Sequence, residues 1–82
     1  MYFVYVLQSE RNGRYYIGSS EDVARRLLEH NAGMTQATRF LRPWRVIYTE
    51  PAETLAEARR REAQIKRWKS RKYMREQLAL PE

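Results

Sequence analysis

The opening of the chain is the feature that most limits what it can fold into. Residues 2–7 (YFVYVL) are aromatic and β-branched apart from Leu7, which is the composition of a buried strand. Residues 8–13 (QSERNG) are polar and end in Asn12-Gly13, a dipeptide that favours a type I′ turn because both central positions take positive φ. Residues 14–18 (RYYIG) read as the returning strand. The chain therefore opens on a hairpin, and a sheet begun this way is antiparallel.

Helices and one more strand follow. In Ser20-Glu21-Asp22-Val23 a hydroxyl precedes two acids and an apolar residue, so Ser20 is expected to cap a helix over about 21–31. Val23, Ala24, Leu27 and Leu28 share its apolar face, and Gly33 offers the stop. Residues 34–43 show no period and read as a loop. Trp44, Val46 and Tyr48 then alternate with Arg45 and Ile47, which predicts a third strand over 44–49, ended by Pro51. Residues 53–68, rich in Ala, Glu and Arg, should form a long helix, and Ser70 should cap a short last one through Leu78. The order is β-β-α-β-α-α, an α+β fold. With 82 residues, 43% hydrophobic and 32% charged, the chain has the balance of one globular domain, 1–82, rather than of a disordered segment.

Composition narrows the chemistry. The absence of cysteine excludes disulfides, thiolate metal sites and cysteine nucleophiles, and a single histidine excludes a multi-histidine zinc site within one chain. No apolar run is long enough to span a membrane, and MYFVYVLQSER lacks the basic region and cleavage site of a signal peptide, so a cytoplasmic location is expected. The net charge of +6 is unevenly spread. Residues 1–58 hold seven basic and seven acidic residues, whereas residues 59–75 hold nine basic residues and one acid, Glu62. Such a concentration is the usual footprint of a nucleic-acid binder, with Arg59, Arg60, Lys66, Arg67, Lys69, Arg71 and Lys72 as the phosphate-contacting candidates. A solvated helix face is the alternative.

Individual residues sharpen this. Leu55, Ala58, Glu62 and Ile65 fall on one helical stripe, so Glu62 is expected to face inward. An inward carboxylate needs a partner, either an arginine in a buried ion pair or a hard cation such as Mg²⁺. If it serves a cation, its removal should abolish activity and even stabilise the metal-free protein. Arg26 and His30 stand i, i+4 on one flank of the first helix. They can clamp a phosphate and relay a proton, or else snorkel into solvent and cap the helix end. Tyr5 and Tyr16 lie on the two hairpin strands, where hydroxyl chemistry and plain packing are both open. Ser19 and Ser20 lack a nearby base, and no phosphate-cradling GxxxxGK[ST] or GxGxxG occurs.

Jointly these residues resemble the GIY-YIG nuclease superfamily, and most closely its small single-domain bacterial branch. The resemblance rests on Phe3-Val4-Tyr5 and Tyr16-Ile17-Gly18, then Arg26 in RRLLEHN, the TR…RPWRVIY strand, and Glu62 in REAQIKRWKSRK. It covers the chain from about Tyr2 to Tyr73 and implies a central three-stranded antiparallel sheet flanked by helices. It further implies metal-dependent hydrolysis of phosphodiesters in DNA, in processing or repair, with Mg²⁺ or Mn²⁺ on Glu62. Tyr5 would act as general base or position the attacking water, Tyr16 would bond the attacking or scissile group, Arg26 would stabilise phosphorane charge and His30 would assist proton transfer. A tyrosine with a pKa of about 10 needs nearby cations to serve as a base at neutral pH. Phe3 stands where the motif has glycine, Ser19 where some relatives have lysine, and no asparagine follows Glu62. With no appended binding domain, little sequence specificity is expected, and a protein partner is one way to supply it. The alternative is a nucleic-acid-binding module without catalysis, which needs the basic helix but not Glu62.

Overall fold

The computed structural model describes residues 1–68 and 70–81. Its elements are β1 (Tyr2–Ser9), β2 (Tyr15–Ser20), α1 (Val23–Asn31), a single 3₁₀ turn (Arg39–Leu41), β3 (Trp44–Ala52), α2 (Leu55–Lys66) and α3 (Arg71–Gln77). The sheet is antiparallel with strand order β2-β1-β3, so the α+β architecture and the order β-β-α-β-α-α are as expected.

β1 is the central strand, which accounts for its unbroken apolar run. Alternate residues of a strand point to opposite faces, and here both faces are covered. Val4 and Val6 pack with Ile17, Ala58, Ile65, Met74, Leu78 and Leu80 on the side of α2 and α3. Tyr5 and Leu7 pack with Trp44, and against them Val23 and Leu27 of α1. One strand thus seeds two cores.

Several local expectations are corrected. The hairpin is not closed by a type I′ turn: Gly13 has φ 78°, but Asn12 does not take positive φ. Residues 10–14 form a longer loop in which Gly13 N–H donates to Ser9 O and Ser9 N–H donates to Arg14 O. Ser9 Oγ accepts the Arg11 and Asn12 N–H groups and donates to Leu41 O, so a hydroxyl does the work assigned to the dipeptide. Asp22, not Ser20, caps α1, because β2 runs on through Ser20; Asp22 Oδ1 accepts the Arg25 N–H while Ser20 Oγ accepts the Asp22 N–H. Nor does Pro51 end β3. The strand continues to Ala52 and pairs only with β1, with Pro51 opposite Phe3, and an edge strand tolerates a residue without an N–H.

The alternation read in β3 also fails at one point. Val6 pairs with Tyr48 and Leu7 with Val46, so Ile47 is an extra residue in the ladder. Trp44 and Val46 join the α1-side core, whereas Ile47 and Tyr48 join the α2-side core. α2 is shorter than residues 53–68. Thr54 Oγ1 accepts the Glu57 N–H at its start, and the helix ends at Lys66. Its tie to β3 is polar, with Arg61 Nε donating to Glu50 Oε2 at 2.8 Å and Tyr48 donating to Glu50 Oε1. Ser70 caps α3 as expected, its Oγ accepting the Tyr73 N–H.

Ile65 is fully buried where α2 meets the sheet, and Leu28 is 71% exposed on α1. Ile65→Ala should therefore cost about 2–5 kcal/mol of unfolding free energy, and Leu28→Ala no more than about 0.5 kcal/mol. Urea denaturation of the two variants measures the contrast.

Candidate functional site

The best-defined polar feature lies on the α1 side of β1. Tyr5 Oη is 3.1 Å from His30 Nε2, and His30 Nδ1 is 2.8 Å from Thr38 Oγ1. Tyr5, His30 and Thr38 are all buried. The Tyr5 hydroxyl hydrogen has no other acceptor among the described residues, and Thr38 Oγ1 can turn its own hydrogen to Thr35 O at 3.4 Å. The arrangement that satisfies every atom is Tyr5 O–H donating to Nε2, and Nδ1–H donating to Thr38 Oγ1. His30 is then neutral with its hydrogen on Nδ1. It does not cap α1, whose C-cap is Ala32.

Gly18 makes this arrangement possible. It stands directly across from Tyr5 in the β1–β2 register. A Cβ on Gly18 would fall 2.5 Å from Tyr5 Oη and 2.6 Å from Cζ. The phenol therefore lies across bare backbone, and any side chain at this position would push it off His30.

Tyr16 and Arg26 complete this side of the sheet. The Tyr16 ring meets His30 edge-on, with centroids 4.9 Å apart. Arg26 is half-buried and pairs with Glu29 one turn on, so it neither snorkels free nor points away. Its guanidinium acts on both neighbours. Burial pushes the His30 pKa below its ordinary value, the Arg26 charge lowers it further, and Glu29 opposes. Burial pushes the Tyr5 pKa up; Arg26 lowers it by hydrogen bonding and charge, but not enough to cancel burial. In this arrangement the phenol keeps its proton, and His30 Nε2 is placed to accept it.

Glu62 reaches the same place from the other face. α2 packs on the Val4 side of the sheet, and the Glu62 carboxylate turns to the edge strand β2, where Oε1 accepts from Ser19 Oγ at 2.8 Å. Its charge is felt at the Tyr5 hydroxyl, whose pKa it raises. The five expected residues Tyr5, Tyr16, Arg26, His30 and Glu62 thus gather around one stretch of β2, although Arg26 and Glu62 come from helices on opposite faces. Glu62 is not strictly inward and its partner is not an arginine. Its side chain is 20% exposed, and Oε2 takes Lys66 Nζ at 2.6 Å. The idea that removing a strained carboxylate stabilises the protein loses its ground, because this carboxylate is solvated and paired.

The donor set can be tested against a metal. Among the described residues no three His, Cys, Asp or Glu side chains cluster as a metal cage. One carboxylate, a hydroxyl and open solvent suit Mg²⁺ or Mn²⁺, which keep most of their waters, and suit neither zinc nor a calcium cage. Lys66 is half-exposed and already occupies Glu62 Oε2.

The basic segment does not present one face. At about 100° per residue, Arg59 and Lys66 lie within about 60° of Glu62 around α2, whereas Arg60 and Arg67 lie about 140–160° away. Arg71 is folded back onto the hairpin, donating to Gly13 O at 2.7 Å with its guanidinium over the Tyr15 ring. Lys72 is exposed on α3, and Lys69 falls outside the described residues. Charge near Glu62 is therefore supplied by a few of the nine basic residues in residues 59–75.

Sequence reading missed Thr38, Thr35, Ser19 as a Glu62 partner, and Lys66 as its counterion. The i, i+4 spacing of Glu62 and Lys66 was a usable signal. Thr38 gave none, since it sits in a stretch without period.

Comparison with known proteins identifies the family and the fold. The family model described as the GIY-YIG catalytic domain matches residues 1–76. A UPF0213 protein of Listeria welshimeri is 45% identical over 67 residues, spanning 80% of this chain and 73% of its own. A UPF0213 protein of Halobacterium salinarum is 43% identical over 67 residues, spanning 80% of this chain and 86% of its own. The solution NMR structure of a UPF0213 protein from Bacillus halodurans matches with a TM-score of 0.57 and 34% identity, covering 96% of this chain and 83% of that one.

The buried neutral histidine has a pH signature. Its folded pKa lies below the ordinary 6.5, so the unfolded chain binds the proton more readily as pH falls through 6.5. The His30 contribution to stability is fully present above that value and is lost as pH drops toward the folded pKa. The melting temperature should therefore fall across this window in the wild type and fall less steeply in His30→Gln. Thr38→Val, which strands Nδ1–H, should cost about 1–3 kcal/mol, read by urea denaturation at neutral pH.

Proposed function

Since the chain belongs to the GIY-YIG family, a nuclease-type family, we propose that it is a metal-dependent endonuclease acting on DNA with little sequence preference of its own. The observation that carries this reading is the Tyr5–His30–Thr38 chain, closed at one end by a buried threonine and open at the other toward Arg26 and Glu62. The chain ties β1, α1 and the stretch before the 3₁₀ turn together, and the same hydrogen bonds offer a path for a proton, which is what supports the hydrolytic reading.

The chain's own residues supply most of the steps. Tyr5 Oη holds the attacking water and takes its proton as the phenol hydrogen passes to His30 Nε2. Thr38 keeps Nε2 free to receive that hydrogen by fixing the other hydrogen on Nδ1. The water oxygen forms its bond to phosphorus, the bond to the leaving oxygen breaks, and that oxygen takes a proton from solvent as the His30 proton is returned to solvent. Arg26 exchanges Glu29 for the phosphoryl oxygens, where a guanidinium offers two parallel donors against developing charge. Tyr16, edge-on to His30, offers its hydroxyl to the attacking or scissile group. Glu62, steadied by Ser19, would hold Mg²⁺ or Mn²⁺, which when bound polarises the phosphate as a Lewis acid.

A second reading, a nucleic-acid-binding module without catalysis, draws on one observation. Both Glu62 oxygens are already engaged, by Ser19 and Lys66. A module of this kind would bind DNA equally well with or without Glu62.

The deciding experiment is a cleavage assay on single-stranded, duplex and branched DNA with Mg²⁺ or Mn²⁺. Tyr5→Phe should lower the rate by about 10²–10⁴-fold. Glu62→Ala should lower it by about 10²-fold or more while changing stability by no more than about 1 kcal/mol, the worth of a solvated pair. Cleavage that survives Glu62→Ala sinks the metal-site assignment, and no cleavage by the wild type on any substrate favours the module. Binding itself should weaken with salt, with a log–log slope of about −0.7 to −0.9 per phosphate contacted.

A further inference from the structure

A second basic surface lies outside the site described above. A cavity of about 440 Å³ opens between the β1–β2 loop and the 3₁₀ turn, lined by Arg11, Asn31, Arg39, Phe40, Arg42 and Pro43. Three of these are arginines and none is acidic. The nearest acid in sequence, Glu10, is not among the lining residues, and its backbone N–H donates to Pro43 O.

The arginines are arranged rather than scattered. Arg11 donates to Phe40 O, and Arg42 Nε donates to Arg39 O at 2.6 Å. Each tether uses one donor of a guanidinium that has five, so the remainder stay available. Arg42 also fills the space left by Gly33: a Cβ there would fall 2.6 Å from its Nη1, and Gly33 has φ +80°. Asn31 is wall and not reader, since both ends of its amide are taken by the Trp44 backbone. Phe40 is 74% exposed, with the Arg39 guanidinium over its ring at 5.4 Å. An aromatic ring exposed to this extent costs solubility, and Phe40 belongs to neither core.

From this combination we propose that the cavity docks single-stranded DNA, seating one unpaired nucleotide with its base on Phe40 and its flanking phosphates on Arg11, Arg39 and Arg42. The inference rests on the nuclease reading for its choice of nucleic acid as occupant, and goes beyond it by naming an unpaired strand. Phosphate contacts alone would accept a duplex, but a duplex keeps its bases stacked and offers none to a protruding ring. The hollow is of a size to seat one nucleotide. Asn31 and Arg39 are the chain neighbours of His30 and Thr38, so a strand held here rests on the elements that carry the buried relay. The substrate this surface selects is DNA with an unpaired segment beside the scissile bond.

The test is fluorescence anisotropy of the full chain with a labelled 12-nucleotide oligothymidylate and a labelled duplex of equal length, in EDTA. Phe40→Ala should weaken oligothymidylate binding by about five- to 150-fold, the worth of one base stacked on an aromatic ring, and leave duplex binding within twofold. The double variant Arg39→Ala/Arg42→Ala should reduce the single-strand salt slope by about 1.4, two contacts at about 0.7 each. Wild-type affinity of Phe40→Ala for oligothymidylate, an equal loss on both probes, or no oligothymidylate binding by the wild type overturns the proposal. Tighter binding of oligouridylate than of oligothymidylate overturns DNA as the occupant. Cleavage assays separate the two claims. Cleavage without the Phe40 contrast overturns this inference alone, and the Phe40 contrast without cleavage supports it while the nuclease reading falls.

Discussion

A polar chain buried beneath the sheet sets the terms for the rest of the molecule. Tyr5, His30 and Thr38 carry hydroxyl and imidazole groups into an interior where an unpaired one would cost a few kcal/mol. They are affordable there only because each meets the next, and this fixes three pieces of chain at once: the middle of β1, the end of α1 and the stretch before the 3₁₀ turn. The same stretch is tied again through Thr38 O, which accepts Trp44 Nε1 at 2.8 Å. Segment 34–43 lacks periodicity, yet Thr38 anchors it through both its hydroxyl and its carbonyl. The requirement propagates to β2 as well, where only glycine leaves the Tyr5 ring its berth.

Around this fixed centre the charged groups are held in provisional pairs. Arg26 leans on Glu29 and Lys66 on Glu62, both within one helix and both partly solvated. Pairs of this kind are worth little, so a phosphate or a cation can displace either partner cheaply. The contrast is thus between a buried hydrogen-bonded chain and partly solvated ion pairs. Placing α1 and α2 on opposite faces of the sheet brings the two kinds of group together only at β2, an edge strand that needs no further pairing on its outer side.

The fold was largely legible in the sequence because its signals are local. The aromatic and β-branched run of β1, the Ala- and Glu-rich stretch of α2 and the Ser70 cap each act over a few residues. The failures were cases where the outcome depended on something distant. Asp22 displaced Ser20 as the cap because β2 stayed paired with β1 through Ser20. Pro51 remained in β3 because no strand lies on its other side. Ile47 became a bulge because one register serves two cores. In the site, residue types with few structural uses in such positions, Tyr5, Arg26, His30 and Glu62, could be named from spacing and family resemblance. Thr38 could not, since an isolated threonine in an aperiodic stretch has no pattern to betray it. The seven basic candidates were named from composition, which carries no direction, whereas helical geometry turns Arg60 and Arg67 away from Glu62.

The central position of β1 has a consequence for the chain as it is made. β1 and β2 emerge together and can pair at once, but the second partner, β3, begins at Trp44, and the helix that covers Val4 and Val6 begins later still, at Leu55. At ribosomal rates that interval is on the order of seconds. For that time a hydrophobic strand is exposed along one edge and over one face, the form in which chains recruit one another into intermolecular sheets. The polar residues that follow at once, Gln8 to Arg14, are the nearest shield the nascent hairpin has. The architecture that centres the site on β1 therefore makes its own assembly a contest between completing the sheet within one molecule and completing it with another.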